Sequence, residues 1–170
     1  MSIPPFDPYR ALEVLTRHGV QFVVIGAFSA VTQGYPLPTQ DLDVTPTRDP
    51  ENLERLAAAL RELRAELRLP RDERLPFVLD AEYLARANSW TLSTDAGPLD
   101  IIFEPAGTAG FQDLSRDAIE QTIRGIQVLL ASVRDVIRMK ETSNRIKDQA
   151  QLPALRQTLE VIRRREAEGR

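Results

Sequence analysis

Apolar and polar positions along the chain follow two periods, and the switches between them mark the elements. Positions 20–25 form a β-branched apolar run suited to a buried strand. Before it, Asp7-Pro8 supplies an N-cap and a first-position proline for a helix that Gly19 closes just after His18. Gly26 lets the backbone turn sharply, and 27–33 fits a short helix ending at Gly34. Tyr35-Pro36-Leu37-Pro38 reads as a stiff loop, and 41–45 as a second strand broken by Pro46. Asp49-Pro50 starts a helix whose apolar stripe is Leu53, Leu56, Ala57, Leu60 and Leu63. A charged, proline-bounded loop follows over 69–76, and Asp80 caps a short helix through 87. Stretches 90–94 and 99–103 alternate as a hairpin around Asp95-Ala96-Gly97-Pro98, and 119–123 joins 126–130 through Arg124-Gly125. Ser132-Val133-Arg134-Asp135 resembles a capping box for a helix through about 141. A last helix begins near Pro153 and runs through the arginines. The order predicts an α/β (α+β) sandwich, a mixed sheet of about five strands flanked by helices. Residues 1–130 form the core, and 131–170 a C-terminal helical segment packed on it in one compact domain.

Composition narrows the chemistry. With 170 residues, 42% hydrophobic and 28% charged, the chain has the makeup of an ordinary globular domain. It contains no cysteine, which excludes disulfides, zinc–thiolate sites and cysteine nucleophiles. Its one histidine, His18, excludes multi-histidine metal sites. No apolar run approaches the ~20 residues needed to span a bilayer. The start, Met1-Ser2-Ile3-Pro4-Pro5, lacks the charged and apolar regions of a signal peptide. A cytoplasmic protein without a membrane partner is expected. The net charge of −3 argues against indiscriminate binding of nucleic acid, but it hides an asymmetry. Residues 1–130 carry 12 arginines against 19 acids, whereas 131–170 carry 8 arginines and 2 lysines against 6 acids. A basic C-terminal stretch could bring a polyanion to an acidic body, or be an ordinary solvated helix face.

The candidate chemistry lies where a glycine turn precedes paired acids. Strand residues two apart share a face, so Asp41 and Asp43 converge. Such like charges repel unless a cation sits between them, and oxygen-only ligands suit Mg²⁺, or Mn²⁺, together with substrate phosphates. Asp100 lies inside Leu99-Asp100-Ile101-Ile102-Phe103. It becomes a third ligand, or a proton acceptor, if its strand lies beside that of Asp41 and Asp43; otherwise it is an edge-strand acid facing water. Gly26, Ala27 and Ser29 form a strand–glycine–helix turn that can offer backbone N–H groups and a hydroxyl to phosphate. Thr39 stands two residues before Asp41, facing the same pocket. Phosphorylation there would set about two negative charges beside the acids and silence the site, while its plainer role is β-strand packing. The chain uses 20 arginines and only two lysines, Lys140 and Lys147, seven residues apart. A compact ammonium at both places suggests point contacts to a triphosphate, or chance clustering.

Together these motifs resemble the polymerase-β-like nucleotidyltransferase superfamily. Within it, the chain is similar to AbiEii/MenT-type toxins of toxin–antitoxin systems. That group has a Gly-Gly turn, an Arg-x-Thr-x-Asp-x-Asp strand and a late Lys…Arg-x-Lys-Asp helical motif. Here they match Gly26-Ala27, Thr39-Gln40-Asp41-Leu42-Asp43 and Lys140…Arg145-Ile146-Lys147-Asp148, within roughly residues 10–160. Ala27 departs from the second glycine, and Leu37 stands where the family often has arginine. The resemblance implies transfer of a nucleoside monophosphate from an NTP to RNA, for the toxin branch the 3′ end of tRNA, with a cognate antitoxin as partner. It implies that Asp41 and Asp43 hold the metals, that Asp100 completes the site or acts as base, and that Lys140 contacts the triphosphate. Asp148 positions Lys140 or Arg145, or lies against the metal shell. A small-molecule or protein hydroxyl as acceptor, and a degenerate nucleotide-binding module, are the competing readings. His18 reads as a partner of its helix dipole, Trp90 as core or interface, and Arg163-Arg164-Arg165 as a solvated helix end that could touch an RNA backbone.

Overall fold

The computed structural model describes residues 4–70 and 75–169, so the loop expected over 69–76 lies partly outside the described residues. In chain order the elements are α1 (Pro8–Arg17), β1 (Phe22–Ile25), α2 (Gly26–Thr32), β2 (Leu42–Pro46), α3 (Pro50–Glu62), β3 (Glu66–Leu67) and α4 (Ala81–Leu84). There follow β4 (Ser89–Thr94), β5 (Gly97–Ile102), α5 (Phe111–Leu114), β6 (Ile119–Ile123), β7 (Ile126–Leu130), α6 (Val133–Ser143) and α7 (Ile146–Ala167). Helix starts follow local chemistry. Asp7, Asp49 and Ser132 each accept a hydrogen bond from the backbone N–H three residues on, opening α1, α3 and α6.

The strands form one mixed sheet in the order β3-β4-β5-β2-β1-β7-β6. β1 shows how the sheet divides the protein. All four of its residues are buried, but Val24 joins the core under α1 and α3, whereas Val23 and Ile25 join a second core under α2, α6 and α7. A strand covered on both faces reads as a continuous apolar run, which is why alternation is absent there. β2 and β5 obey the same parity: Leu42, Val44, Leu99 and Ile101 enter the first core. Each such leucine or isoleucine, fully buried, contributes roughly 1.5–3 kcal/mol. Asp43, Thr45 and Asp100 therefore share the second face, and Asp41, just before β2, reaches the same group of acids. That face is covered over β1, but Ser89, Thr91 and Ser93 of β4 are exposed on it. The acids thus stand where the covered half of the sheet gives way to the open half.

Several features differ from the sequence expectation, and the second strand, expected from 41, begins at Leu42. Among the described residues the sheet has seven strands rather than about five, partly because β3 is only two residues long. Pro46 ends β2 opposite Phe22 instead of breaking the strand earlier, at a terminus where a missing N–H is tolerated. α4 stops at Leu84, short of residue 87. α7 begins at Ile146, seven residues before Pro153, which lies inside the helix. Among the described residues no helix is long and apolar enough to cross a membrane.

Candidate active site

β2 and β5 run parallel with Asp43 directly opposite Asp100. Asp41 precedes Asp43 by two residues on the same face, and one carboxylate oxygen from each acid lies within 4.8 Å of the others. All three acids are half-buried. Burial, then the negative charges of Asp41 and Asp100, push the Asp43 carboxyl up to about 7, against the pull of Lys140 and Lys147. Burial also raises Asp100, with Asp41 adding to the rise and the Arg68 guanidinium opposing it. Three acids held this close ask for a cation, and an all-oxygen donor set fits Mg²⁺ or Mn²⁺.

Each acid is oriented by a neighbour. The Thr39 hydroxyl donates to Asp41 Oδ1 at 2.8 Å. Arg68 Nη2 donates to Asp100 Oδ1 at 2.8 Å, occupying one oxygen. Asp43 is placed by the absence of a side chain: Gly26 turns with φ +67°, and a Cβ there would collide with the Asp43 carboxylate. The glycine is required twice, for a left-handed backbone and for a close approach. Ala27 is half-buried in the first turn of α2. Ser29 is not presented to this pocket. It is fully buried, and its hydroxyl donates to the Ala131 carbonyl at 2.6 Å, tying α2 to the start of α6.

The cations come from the α6–α7 corner, where Asn144 takes a left-handed φ of +50° between the helices. Its anchor is Asp148, whose side chain has 0% exposure. Asp148 accepts from the Ser143 hydroxyl, from Arg145 Nε at 2.8 Å and from the Arg145 backbone N–H at 3.2 Å, with Lys140 Nζ at 3.4 Å. Burial pushes this carboxyl upward, but the bonds from Arg145 and Ser143 and the charge of Lys140 outweigh it and hold it well below the usual range. Asp148 lies with the cations and outside the group of three acids. Lys140 lines a cleft of about 280 Å³ together with Gly26, Asp43, Arg145 and Asp148. Lys147 is exposed, yet its charge acts on both Asp43 and Asp100. The arrangement sets a cation-seeking cluster beside a cleft walled by fixed positive charge, which suits a metal–polyphosphate ligand.

Other residues singled out in the sequence serve packing. His18 ends α1 with its ring 2.6 Å from Glu62. Trp90 donates its indole N–H to the Leu84 carbonyl at 3.0 Å and stacks on Tyr83. Arg68 and Ser143 were not singled out, because each meets its acid only through tertiary placement.

No protein-family model and no curated protein matches the chain. Among solved structures, the fold is similar to the lincosamide antibiotic adenylyltransferase LnuA bound to lincomycin, with a TM-score of 0.59 and 12% identity over 88% of this chain and 94% of that one. It is also similar to TM1012 of Thermotoga maritima, assigned as a nucleotidyltransferase, with a TM-score of 0.54 and 16% identity over 86% and 88% of the two chains. At these identities the likeness is one of fold: the chain has the architecture of nucleotidyltransferases.

Proposed function

We propose that this chain is a divalent-metal-dependent nucleotidyltransferase that moves a nucleoside monophosphate from an NTP to an RNA 3′ end, foremost that of tRNA. On this reading it acts as the toxin of a toxin–antitoxin pair and blocks translation. The observation that carries the enzymatic part is the meeting of Asp41, Asp43 and Asp100 within 4.8 Å beside the Gly26 turn. Those three acids hold Mg²⁺ or Mn²⁺. Such ions neutralise charge on the reacting phosphate and make an attacking hydroxyl more acidic. Lys140 binds the triphosphate from the cleft, with Arg145 and Lys147 beside it, and Asp148 positions Lys140 and Arg145. Backbone at Gly26 and Ala27 lines the phosphate side. The acceptor oxygen attacks the α-phosphorus, the bond to the bridging oxygen breaks, and pyrophosphate leaves. Asp100, with one oxygen on Arg68, takes the hydroxyl proton or completes the metal site.

RNA as acceptor is supported by the basic balance of residues 131–170 and by the exposed Arg163, Arg164 and Arg165 on α7. Binding through them weakens steeply with salt. Thr39, on the Asp41 carboxylate, is the point where an antitoxin-linked phosphorylation silences the site. A second reading keeps the chemistry and changes the acceptor to a small-molecule hydroxyl. It is favoured by the fold shared with LnuA, whose name records a lincosamide substrate.

The test is incorporation of labelled NTP. Wild-type protein with Mg²⁺ labels RNA. Asp41→Ala, with an unchanged circular-dichroism spectrum, loses at least ~100-fold of that activity, since metal stabilisation is worth several kcal/mol and 1.36 kcal/mol is tenfold in rate. An active Asp41→Ala overturns the assignment. Pyrophosphate release that needs RNA favours the first acceptor, and release that needs only a small alcohol favours the second. Growth arrest on induction, relieved by a neighbouring gene, tests the toxin role.

A further inference from the structure

Strand β6 closes one end of the sheet, with β7 on one side and, among the described residues, no strand on the other. The β6–β7 hairpin turns through Arg124 and Gly125, whose φ values of 49° and 81° are both positive. That is a two-residue type I′ turn, so the flanking Ile123 and Ile126 form a hydrogen-bonded pair. Bonded and non-bonded pairs alternate along an antiparallel ladder. Ile119, Gln121 and Ile123 therefore turn their backbone groups toward β7, and Glu120 and Thr122 turn theirs outward. Among the described residues no hydrogen bond reaches those outward groups. Edges of this kind are ordinarily blunted by lysine, proline, a bulge or a covering loop. β6 carries neither lysine nor proline, and Ile119, Glu120 and Thr122 are exposed.

We propose that β6 pairs antiparallel with β6 of a second copy of this chain, about a two-fold axis through Gln121. The strand is self-complementary in that register. Glu120 lies opposite the partner's Thr122, and each such pair exchanges both outward hydrogen bonds, so no outward group of these two residues stays unpaired. Ile119, 40% exposed in one copy, lies opposite the partner's Ile123 on the face of the first core. The two copies of Glu120 stand diagonally across the axis rather than directly opposite one another. Asp117, exposed just before the strand, comes opposite the partner's Gly125, next to Arg124, whose guanidinium lies over the Tyr9 ring. The candidate cleft stays open, because β7 and β1 separate β6 from β2. One five-residue strand per copy makes a small interface, so the dimer is a weak, concentration-dependent one.

The absence of cysteine makes the register directly testable. Gln121→Cys puts one thiol on the axis, where a non-hydrogen-bonded pair brings Cβ atoms to roughly 4.5–5.5 Å, close to disulfide reach. Asp117→Cys is the control. In the same register its two copies stand eight residues apart along the strand, about 27 Å at 3.4 Å per residue. Under mild oxidation Gln121→Cys is expected to give a disulfide dimer on a non-reducing gel, and Asp117→Cys to stay monomeric. In sedimentation equilibrium the unmodified chain shifts toward twice its mass with concentration. Thr122→Pro, which deletes an outward N–H and no inward one, abolishes that shift. No cross-link at position 121, equal cross-linking at both positions, or a folded Thr122→Pro that still dimerises overturns the proposal. Should Thr122→Pro fail to fold, the two cysteine variants decide alone. None of these readouts involves nucleotide transfer.

Discussion

Asp43 is the residue on which burial and charge act together. In the folded chain its carboxyl is pushed up to about 7 from an ordinary 3.8, by burial first and by Asp41 and Asp100 next. Between about pH 4 and 7 the folded state thus holds a proton that the unfolded state has lost. The stability linked to that proton fades as pH rises through this window and is gone above it. A divalent ion that takes the proton's place should stabilise the protein more at alkaline pH. Thermal unfolding with and without Mg²⁺ is expected to show a larger rise in Tm at about pH 8 than at about pH 5.5. An equal rise at both, or none, contradicts an ion at Asp43. The partners of these acids were unequally legible. Thr39 and Asp41 are two apart in the stretch just before β2, so their hydrogen bond is a local one that needs no tertiary pairing. Arg68 and Asp100 are 32 residues apart and meet only because β3 and β4 lie beside β5.

At the scale of elements, the α6–α7 corner owes its shape to one buried carboxylate. Asp148 gathers Ser143, Arg145 and Lys140, so it fixes the angle at which Lys140 enters the cleft. Removing one partner of a buried ion pair costs about 3–5 kcal/mol. Asp148→Ala is expected to lower the unfolding free energy by that order in a urea titration, while a loss under ~1 kcal/mol would show that the corner stands without it. The start of α7 was hidden from the sequence for a related reason. Its cap is reciprocal, between Arg145 and Asp148, with no Ser, Thr, Asp or Asn at the N-cap position. Pro153 looked like a first-turn proline, yet the helix carries it inside. By contrast, the β6–β7 hairpin was legible to its end residues, because Arg124-Gly125 occupies both left-handed positions of the turn. α5 and β3, four and two residues long, span too little chain to show a period.

At the scale of the molecule, a sheet with two covered faces leaves one half-face open, and the acids stand on that border. Periodicity put Asp41 and Asp43 on one side of their strand, but it could not say which strand lies beside them. The parallel pairing of β2 with β5, across more than fifty residues, decides that Asp100 joins them. Scarcity of lysine drew attention to Lys140 and Lys147, and the fold sets one in the cleft and the other's field on the acids. The proposed chemistry therefore rests on three carboxylates acting as one cation site. Calorimetric titration of Mn²⁺ into wild type and Asp43→Asn, each with a non-hydrolysable NTP analogue present, tests that most directly. Saturable binding by wild type and its loss in the folded variant is the predicted result. Equal binding by both proteins, or none by wild type, contradicts it.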